Sequence, residues 1–360
     1  MKLFLIVPVL LFTFSSCTET EFKQLDLPLP HRYVIHKTSE TMQIDGLASE
    51  ESWANTGWTS DFMDIEGPDK DAPFSRSRAK MLWDEDYLYF FASMEEEHIW
   101  GDITQRDAVI FYNNDFEIFI HPSESEPQYA EFEVNSLGTL WELILLQPYR
   151  IGGPVSNYWD LNDTQIGINI VGSINEPSDI DSLWTVEMAI PLKAVAELNR
   201  GASVGEGTQW RMNFSRVQWE HEIIDGTYSR KKDPDTGEFL PEYNWVWSPQ
   251  FAIDMHRPEH WGYVWFTEKP PGSIVNFPEP VWETERQLLF YLHRQQLKIA
   301  RKDGYFASDI NQLGGPVFNV NGKMIRVEMT NTRSGYELTI SDPAKGSITL
   351  NQDEYITLTE

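Results

Sequence analysis

The chain has one cysteine and few basic residues, and each shortage excludes a class of protein. Cys17 alone can form neither an intrachain disulfide framework nor a thiolate metal cluster. The 28 Lys and Arg residues stand against 56 Asp and Glu residues, which gives a formal net charge of −28. A chain this acidic, without a basic run, is poorly suited to hold nucleic acid by electrostatic attraction. We therefore expect no nucleic-acid partner.

Recognisable enzyme motifs are also missing. The sequence contains no Gly-rich phosphate loop, no G-x-S-x-G and no H-E-x-x-H. With 56 acidic residues, two carboxylates at the separation that glycosidases use will occur somewhere by number alone. Their presence is therefore no evidence of catalysis, and the sequence assigns no catalytic residue.

The N-terminal residues have the pattern of a targeting segment. Lys2 precedes an almost wholly apolar run over residues 3–14, and Ser15, Ser16 and Cys17 follow. About a dozen apolar residues are too few for a membrane-spanning helix and typical of a signal peptide. The pattern resembles a bacterial lipoprotein signal, which implies lipidation of Cys17 after removal of residues 1–16. It further implies a lipid-anchored protein of the outer membrane in the bacterial cell envelope, facing the periplasm or the surface. An ordinary cleaved signal peptide is the alternative.

The rest of the chain divides into four segments by composition. Short alternating strands separated by turn residues predict an antiparallel β-sandwich in the largest segment. A helical apolar pattern over 281–302, followed by strand patterns around Asn321-Gly322, predicts a small C-terminal α+β unit. The segments are a polar, proline-containing tether at 17–32, the sandwich at 33–268, a linker at 269–280 and the C-terminal unit at 281–360.

Tryptophan is frequent, with 14 residues, and the sequence around four of these is typical of loops. An exposed indole suits the apolar face of a sugar ring, because it offers a flat surface for burial and weak C–H contacts. We expect these four to be exposed on loops and to stack on a sugar, whereas the alternative is an ordinary core position for each. They are Trp100, Trp159, Trp245 and Trp247.

Candidate partners for sugar hydroxyls come from strand alternation and from nearby arginines. Because strand side chains alternate between faces, Glu131, Glu133 and Asn135 share one face, opposite Phe132 and Val134. Functionally such a face can read hydroxyl groups; the alternative is a solvated face with cross-strand ion pairs. The candidate hydroxyl partners are Glu131, Glu133, Asn135, Arg106 and Arg216.

One acidic loop is a possible calcium site. Its residues are Asp61, Asp64, Glu66, Asp69 and Asp71. Carboxylate oxygens are the ligands that calcium prefers, although the spacing is not that of an EF-hand. We expect no cofactor other than a possible structural calcium ion.

An ordered series of motifs resembles the family 9 carbohydrate-binding module. The series covers most of the segment from Tyr33 to Phe266. Its members are IDG at 44–46 with Trp53, AKMLWDEDYLY at 79–89, NDFEIFI at 114–120, YAEFEVN at 129–135, WTVEMAIP at 184–191, NFSR at 213–216, WSP at 247–249 and HRPEHWG at 256–262.

This resemblance implies an antiparallel β-sandwich related to the DOMON sugar- and haem-binding domains. It also implies that stacked tryptophans and polar neighbours grip glycan chains. Modules of the family are often attached to glycoside hydrolases, whereas this chain shows no hydrolase segment and carries insertions around 147–164 and 220–244.

The resulting prediction is non-catalytic binding of a poly- or oligosaccharide, in support of polysaccharide capture or catabolism by glycan-degrading enzymes of the envelope. The first alternative is a glycoside hydrolase that uses acids such as Glu131 and Glu133. The second is a haem-binding electron-transfer domain, which needs a pair of axial ligands across an apolar pocket.

Overall fold

The computed structural model describes residues 22–157 and 159–359. The predicted signal peptide and the predicted lipidation site Cys17 lie outside these residues. Within them, none of the helices combines the length and the apolar character needed to span a membrane.

Most elements are short β-strands, as the alternating sequence pattern predicts. The first sixteen strands of the described residues are β1 Lys23–Leu25, β2 Arg32–Lys37, β3 Met63–Asp64, β4 Ser77–Trp83, β5 Tyr87–Glu95, β6 Asp115–His121, β7 Tyr129–Asn135, β8 Leu140–Leu145, β9 Val155–Ser156, β10 Gln165–Val171, β11 Leu183–Pro191, β12 Gln209–Gln218, β13 His221–Ile224, β14 Thr227–Arg230, β15 Tyr243–Val246 and β16 Gly262–Thr267. The short α-helices among them are α1 Glu51–Ala54 and α2 Leu192–Ala196. Single 3-10 turns cover Ile110–Tyr112, Tyr149–Ile151, Glu197–Asn199 and Pro258–His260.

Thirteen strands of the described residues belong to one sheet. From edge to edge the order is β10-β11-β5-β4-β2-β16-β12-β6-β7-β8-β9, and β15 and β3 extend the sheet beside β12. Neighbours are antiparallel except β2, which runs parallel to both β4 and β16. The sheet folds over, so that side chains of β4, β5 and β11 share one apolar core with those of β6, β7 and β12. This architecture is an antiparallel β-sandwich, and the predicted fold class is confirmed.

Aromatic side chains fill the space between the two halves of the sheet. Phe90, Phe132, Trp184 and Phe214 are all fully buried there. Phe214 stacks on Phe116 with ring centroids 5.6 Å apart. Burial of each such side chain contributes about 1.5–3 kcal/mol, so this core is a main source of stability for the sandwich.

The C-terminal segment has the predicted long helix, followed by antiparallel strands. Helix α3 spans Glu283–Asp303, and Gly304 ends it in the left-handed conformation at φ 80°. The strands are β17 Val317–Val320, β18 Lys323–Arg326, β19 Glu328–Asn331, β20 Tyr336–Asp342, β21 Gly346–Asn351 and β22 Ile356–Thr359, with a 3-10 turn at Ile310–Leu313 before them. Asn321 and Gly322 both have positive φ and join β17 to β18 in a tight hairpin, as predicted. These elements enclose a second apolar core.

The tether expected over residues 17–32 is ordered where the structure describes it. Lys23–Leu25 form strand β1, which pairs in parallel with β17. The side chain of Asn321 accepts a hydrogen bond from the Leu27 amide and donates one to the Leu27 carbonyl, each at 2.8 Å. Leu25 and Leu27 also pack on the second core. Three strand residues are too few for a readable alternation, which explains why sequence reasoning missed this strand.

Buried ion pairs join the C-terminal unit to the sandwich. Glu283, at the start of α3, lies 2.7 Å from the Arg211 guanidinium of β12. Arg150 contacts Glu259 at 2.9 Å and, from the C-terminal unit, Glu354 at 2.6 Å. Each of these five side chains is at most 8% exposed. The two cores are therefore separate apolar clusters held together by a polar, desolvated interface.

Candidate functional site

An open cavity of about 430 Å³ lies beyond the ends of β5 and β12. We call it the aromatic slot. The loop before β4 forms one side, and the start of the 220–244 insertion forms the other. Its lining consists of Phe74, Ser75, Glu96, Glu97, His98, Arg216, Gln218, Trp219, Glu220 and His221.

Phe74 forms the exposed aromatic wall of the slot. Its side chain is 68% exposed, although it is large and apolar. The ring meets Trp245 edge to face at 4.7 Å between centroids, and meets Tyr243 in the same way at 5.5 Å. Such contacts fix the orientation of the ring while most of its surface stays in solvent. Phe74 is thus a positioned aromatic surface that is free to take a ligand.

The opposite wall contains two imidazoles and one indole. The rings of His98 and His221 are 4.7 Å apart between centroids. Nδ1 of His98 is hydrogen-bonded to the Tyr228 hydroxyl at 2.9 Å. Nε1 of Trp219 donates to the Phe111 carbonyl at 2.7 Å, so this indole is held from behind. The slot therefore has ring-bearing residues on both sides.

A buried polar network forms the floor. Arg216 donates from Nη1 to the Glu95 carbonyl at 2.8 Å and from Nη2 to the Gln218 side chain at 2.6 Å. Its guanidinium also pairs with Glu96 at 3.3 Å. Glu96 in turn accepts hydrogen bonds from Asn114 and, at 2.8 Å, from Trp184. These bonds set the position of each polar group before any ligand arrives.

Burial dominates the electrostatics of this floor. Desolvation raises the pKa of Glu96, and the neighbouring Arg216 opposes that rise. Desolvation likewise lowers the pKa of Arg216, against the attraction of Glu96. The pKa of His221 is lowered by burial and by His98, so this imidazole is neutral at pH 7. A neutral imidazole can both donate and accept a hydrogen bond at the rim of the slot.

Three of the four predicted stacking tryptophans are buried, which corrects the expectation that they are exposed on loops. Trp100, Trp245 and Trp247 are 3%, 2% and 1% exposed. Strand β15 carries Trp245 opposite Arg216 of β12, behind the ring of Phe74. Trp247 packs on Phe214 in the main core. A buried indole offers no face to a sugar, so these three residues support the fold rather than contact a ligand.

The other sequence-predicted site residues lie apart from the slot, except Arg216. Trp159 is half-buried against Phe132, with ring centroids 5.8 Å apart. Arg106 pairs with Glu142 of β8. Asn135 is fully buried, and its side-chain oxygen accepts hydrogen bonds from the Leu137 and Thr139 amides, so it stabilises a turn.

Glu131 and Glu133 belong to a buried cluster of four carboxylates. Strand β7 supplies both, and the neighbouring strand β6 supplies Asp115 and Glu117, with Glu117 directly opposite Glu133. All four are at most 5% exposed, so the open face of hydroxyl-binding groups expected at Glu131 and Glu133 is not formed. Both acids of the hydrolase alternative therefore lie in this buried cluster.

Burial raises the pKa of every member of this cluster, and repulsion between the carboxylates adds to the effect. The pKa of Glu117 rises to about 7, and those of Asp115, Glu131 and Glu133 rise well above their ordinary values. Among the described residues, one group has carboxylate oxygens close enough to share a metal ion: Asp115, Glu117 and Glu133, whose nearest oxygens lie within 4.8 Å of one another.

The acidic loop at 61–71 does not converge in the same way within the described residues. Oδ1 of Asp64 accepts a hydrogen bond from the Glu66 amide at 2.8 Å, and Glu66 pairs with Lys70 at 2.6 Å. Asp61, Asp69 and Asp71 are exposed. The structure therefore gives the calcium prediction at this loop no geometric support.

Sequence reasoning missed Phe74, His98, Gln218, Trp219 and His221. One available signal was the single apolar ring of Phe74 in the polar stretch 69–76. Another was strand alternation, which places Gln218 on the same face as Arg216. The slot is formed by segments that are far apart in the sequence, and the spacing of residues along the chain does not predict contacts between such segments.

The chain is similar to known proteins in sequence and in structure. Residues 44–142 match the family described as carbohydrate family 9 binding domain-like. No curated protein sequence gives a significant match. A solved structure of a protein from Bacteroides uniformis ATCC 8492, proposed to bind carbohydrate, is 16% identical, with 66% of this chain and 99% of that chain covered and a TM-score of 0.46.

A family 9 carbohydrate-binding module from Caldicellulosiruptor kristjanssonii, in complex with cellotriose, is 12% identical, with 69% of this chain and 100% of that chain covered and a TM-score of 0.43. The same organism's module in complex with glucose is 13% identical, with 68% and 100% covered and a TM-score of 0.42. The family match contains Phe74, Glu96 and His98 of the slot. The chain thus contains a carbohydrate family 9 binding domain-like segment at residues 44–142, as the sequence resemblance predicts.

Proposed function

We propose that this protein binds carbohydrate without catalysis and that the aromatic slot holds one sugar residue of an oligo- or polysaccharide. The observation that carries the proposal is the combination, in one cavity, of the exposed Phe74 ring with a buried, hydrogen-bonded polar floor. The family match over residues 44–142 supports the same function. The cavity volume of about 430 Å³ also lies in the ordinary range for small-ligand sites.

Each part of the slot has a role in this proposal. The apolar face of a sugar ring packs on Phe74, where burial and C–H contacts with the ring contribute binding energy. Hydroxyl groups at the ring edge bind Gln218, Glu96 and His221, which supply both donors and acceptors. Arg216 acts by holding Gln218 and Glu96 in place. Because these groups are already positioned, little conformational entropy is lost on binding.

The charge of the slot favours a neutral glycan. Three carboxylates line it, those of Glu96, Glu97 and Glu220, against the single guanidinium of Arg216. The whole chain adds a net charge of −28. An anionic sugar would approach against this field, whereas a neutral one would not. We therefore propose neutral oligo- or polysaccharides as the ligand class.

We further propose that the protein acts at the bacterial envelope. A lipid anchor at Cys17 would attach it to the outer membrane, and the few residues after Cys17 would then join the anchor to strand β1. In that position it would hold polysaccharide near the enzymes that degrade it. The residues that support this proposal are the apolar run at 3–14 and the cysteine that follows.

The proposal is tested by replacing the exposed aromatic wall. A glycan array on the folded fragment from residue 22 first identifies a ligand, and calorimetry then gives its affinity. We expect Phe74→Ala to weaken binding about 5- to 150-fold, because loss of one aromatic face removes about 1–3 kcal/mol. The melting temperature should not change, since the ring is mostly exposed.

Tyr305→Ala is the matched control for this experiment. Tyr305 is 64% exposed, close to the 68% of Phe74, and it belongs to the C-terminal unit. Binding by Tyr305→Ala should equal that of the parent protein. Equal affinities for the Phe74 and Tyr305 variants would remove the slot as the binding site.

A further inference from the structure

A second cavity, of about 750 Å³, lies between the sandwich and the C-terminal unit. We call it the interface groove. Its lining comes from helix α3, from the loop between β15 and β16, from Arg150 and Asp69, and from residues 26–28. None of these residues lines the aromatic slot, and the volume is in the ordinary range for small-ligand sites. The groove is therefore a separate candidate site, which both units build together.

The lining of the groove reverses the charge balance of the chain. Five of its residues are basic and three are acidic, whereas acids outnumber bases by 56 to 28 in the whole sequence. The basic residues are Arg150, Arg257, Arg294, Lys298 and Arg301. The last three are spaced four and three residues apart along α3, so they share one face of the helix. Locally, the field of this groove favours an anion.

The acids of the groove offset this charge only in part. Asp26 and Asp69 are exposed, so solvent screens their charges. Burial raises the pKa of Asp254, although the nearby Arg150 opposes that rise. Proton uptake by this carboxylate removes its negative charge, and the excess of positive charge in the groove then increases.

Three guanidinium groups of the groove share one carboxylate. Glu259 lies 2.6 Å from Arg294 and 2.9 Å from Arg150. The third group, that of Arg257, is 3.8 Å from the same side chain. Burial lowers the pKa of Arg294 to about 10; Glu259 opposes that effect, and the other two guanidinium groups add to it. A bound anion would relieve the repulsion among these cations.

Side chains suited to the rest of a ligand also line the groove. Phe251 is 38% exposed, and its ring meets His260 edge to face with centroids 5.4 Å apart. The φ of Phe251 is 56°, an uncommon value for an aromatic residue and one that the surrounding structure must hold in place. Nε2 of His260 is buried without a hydrogen-bond partner, which is rare in native proteins. The groove thus combines an exposed ring with cationic and polar groups.

We propose that the interface groove binds an acidic sugar residue, one that carries a carboxylate group, such as a uronate. Guanidinium groups bind carboxylates through paired hydrogen bonds, and Arg294 with the exposed cations of α3 would supply them. The apolar face of the sugar ring would pack on Phe251. The choice of a sugar rests on the proposed function, whereas the choice of an anion rests on the groove alone. The C-terminal unit is then part of a binding site.

The test compares charged saccharides with neutral ones of the same skeleton on the full chain. Calorimetry measures the affinities for trimers of galacturonate and of glucuronate, and for the methyl esters of both trimers. We expect one charged trimer to bind at least about tenfold more tightly than its ester, and this preference to fall as salt is raised. Equal affinities for acid and ester, or no binding of either charged trimer, would overturn the proposal. Sodium sulfate that binds as tightly as the trimer would overturn the choice of a sugar.

Charge reversal on α3 locates the site. Lys298 and Arg301 are exposed and, within the described part of the chain, belong to no ion pair, so their replacement should leave the melting temperature unchanged. Lys298→Glu combined with Arg301→Glu should weaken binding of the charged trimer at least about tenfold. Lys302→Glu is the matched control, because Lys302 is the next exposed cation of the helix and does not line the groove. It should bind like the parent protein.

The outcomes separate the groove from the slot. Unchanged affinity of the double variant for the charged trimer, or an equal loss in Lys302→Glu, contradicts the groove. Loss of the charged trimer in Phe74→Ala would place that ligand in the slot and would likewise contradict the groove. Failure of the slot itself is measured with neutral glycans and does not affect the comparison of acid with ester.

Discussion

Trp245 and Phe74 lie in edge contact, yet only Phe74 reaches solvent. Both are aromatic residues next to proline-containing connections, and neither residue type by itself shows which side chain is buried. The difference comes from register: β15 pairs Trp245 with Arg216 and buries it beneath the loop that carries Phe74. The position of each ring in the packed structure thus decides its role: the buried Trp245 contributes to stability, and the exposed Phe74 is available to a ligand.

A substitution at Trp245 tests this assignment. Trp245→Ala should reduce the free energy of unfolding by about 3–5 kcal/mol, because removal of a buried indole leaves a cavity. Chemical denaturation measures this change. A loss of sugar affinity with full stability would instead show that Trp245 contacts the ligand and that its burial is misassigned. Phe74→Ala, with an unchanged melting temperature, is the internal comparison.

Helix α3 contacts the sandwich at several points, and its first turn supplies a buried ion pair. Glu283 accepts hydrogen bonds from Arg211 at 2.7 Å and from the Tyr263 hydroxyl at 2.5 Å. Both ends of this ion pair are buried, so each charge depends on the other for compensation. The helix itself forms from local sequence signals, whereas its docking uses contacts with distant residues, of which this desolvated contact with β12 and β16 is one.

Loss of the contact should be costly. Glu283→Gln leaves the Arg211 guanidinium buried without its counter-charge, which we expect to reduce the free energy of unfolding by about 3–5 kcal/mol. Glu279→Gln is the control, since Glu279 pairs with Arg32 but is 79% exposed. An exposed pair contributes about 0–1 kcal/mol, so this variant should unfold like the parent protein. Equal effects of the two substitutions in urea denaturation would contradict the docking role of Glu283.

The molecule as a whole combines two apolar cores and a strong negative charge. The sandwich core and the C-terminal core each collect their own aliphatic and aromatic residues. Strand β1 belongs to the second core although it precedes the sandwich in sequence. The first strand of the described residues is therefore packed in the C-terminal unit and not in the sandwich. Any anchor attached upstream would place that unit, rather than the slot, next to the attachment point.

The proposed anchor gives a prediction for the whole protein in cells. Cys17→Ser should move the protein from the membrane fraction to the soluble fraction, because a lipoprotein anchor carries several acyl chains and their loss removes firm attachment. Fractionation followed by immunoblotting checks this. Ser15→Ala, which keeps the cysteine, should remain with the membranes. Membrane association that persists in Cys17→Ser would contradict lipid anchoring at this residue.

Local sequence signals by themselves determined the hairpin of β4 and β5, the helix α3 with Gly304 at its end, and the Asn321-Gly322 turn. Each depends on residues close together in the chain, where conformational preference and alternation act directly. The tertiary structure alone decided that Phe74, Trp219 and His221 line one cavity, and that Asp115, Glu117 and Glu133 converge. Those placements depend on strand register and sheet folding between distant segments, because exposure and convergence are properties of the packed chain.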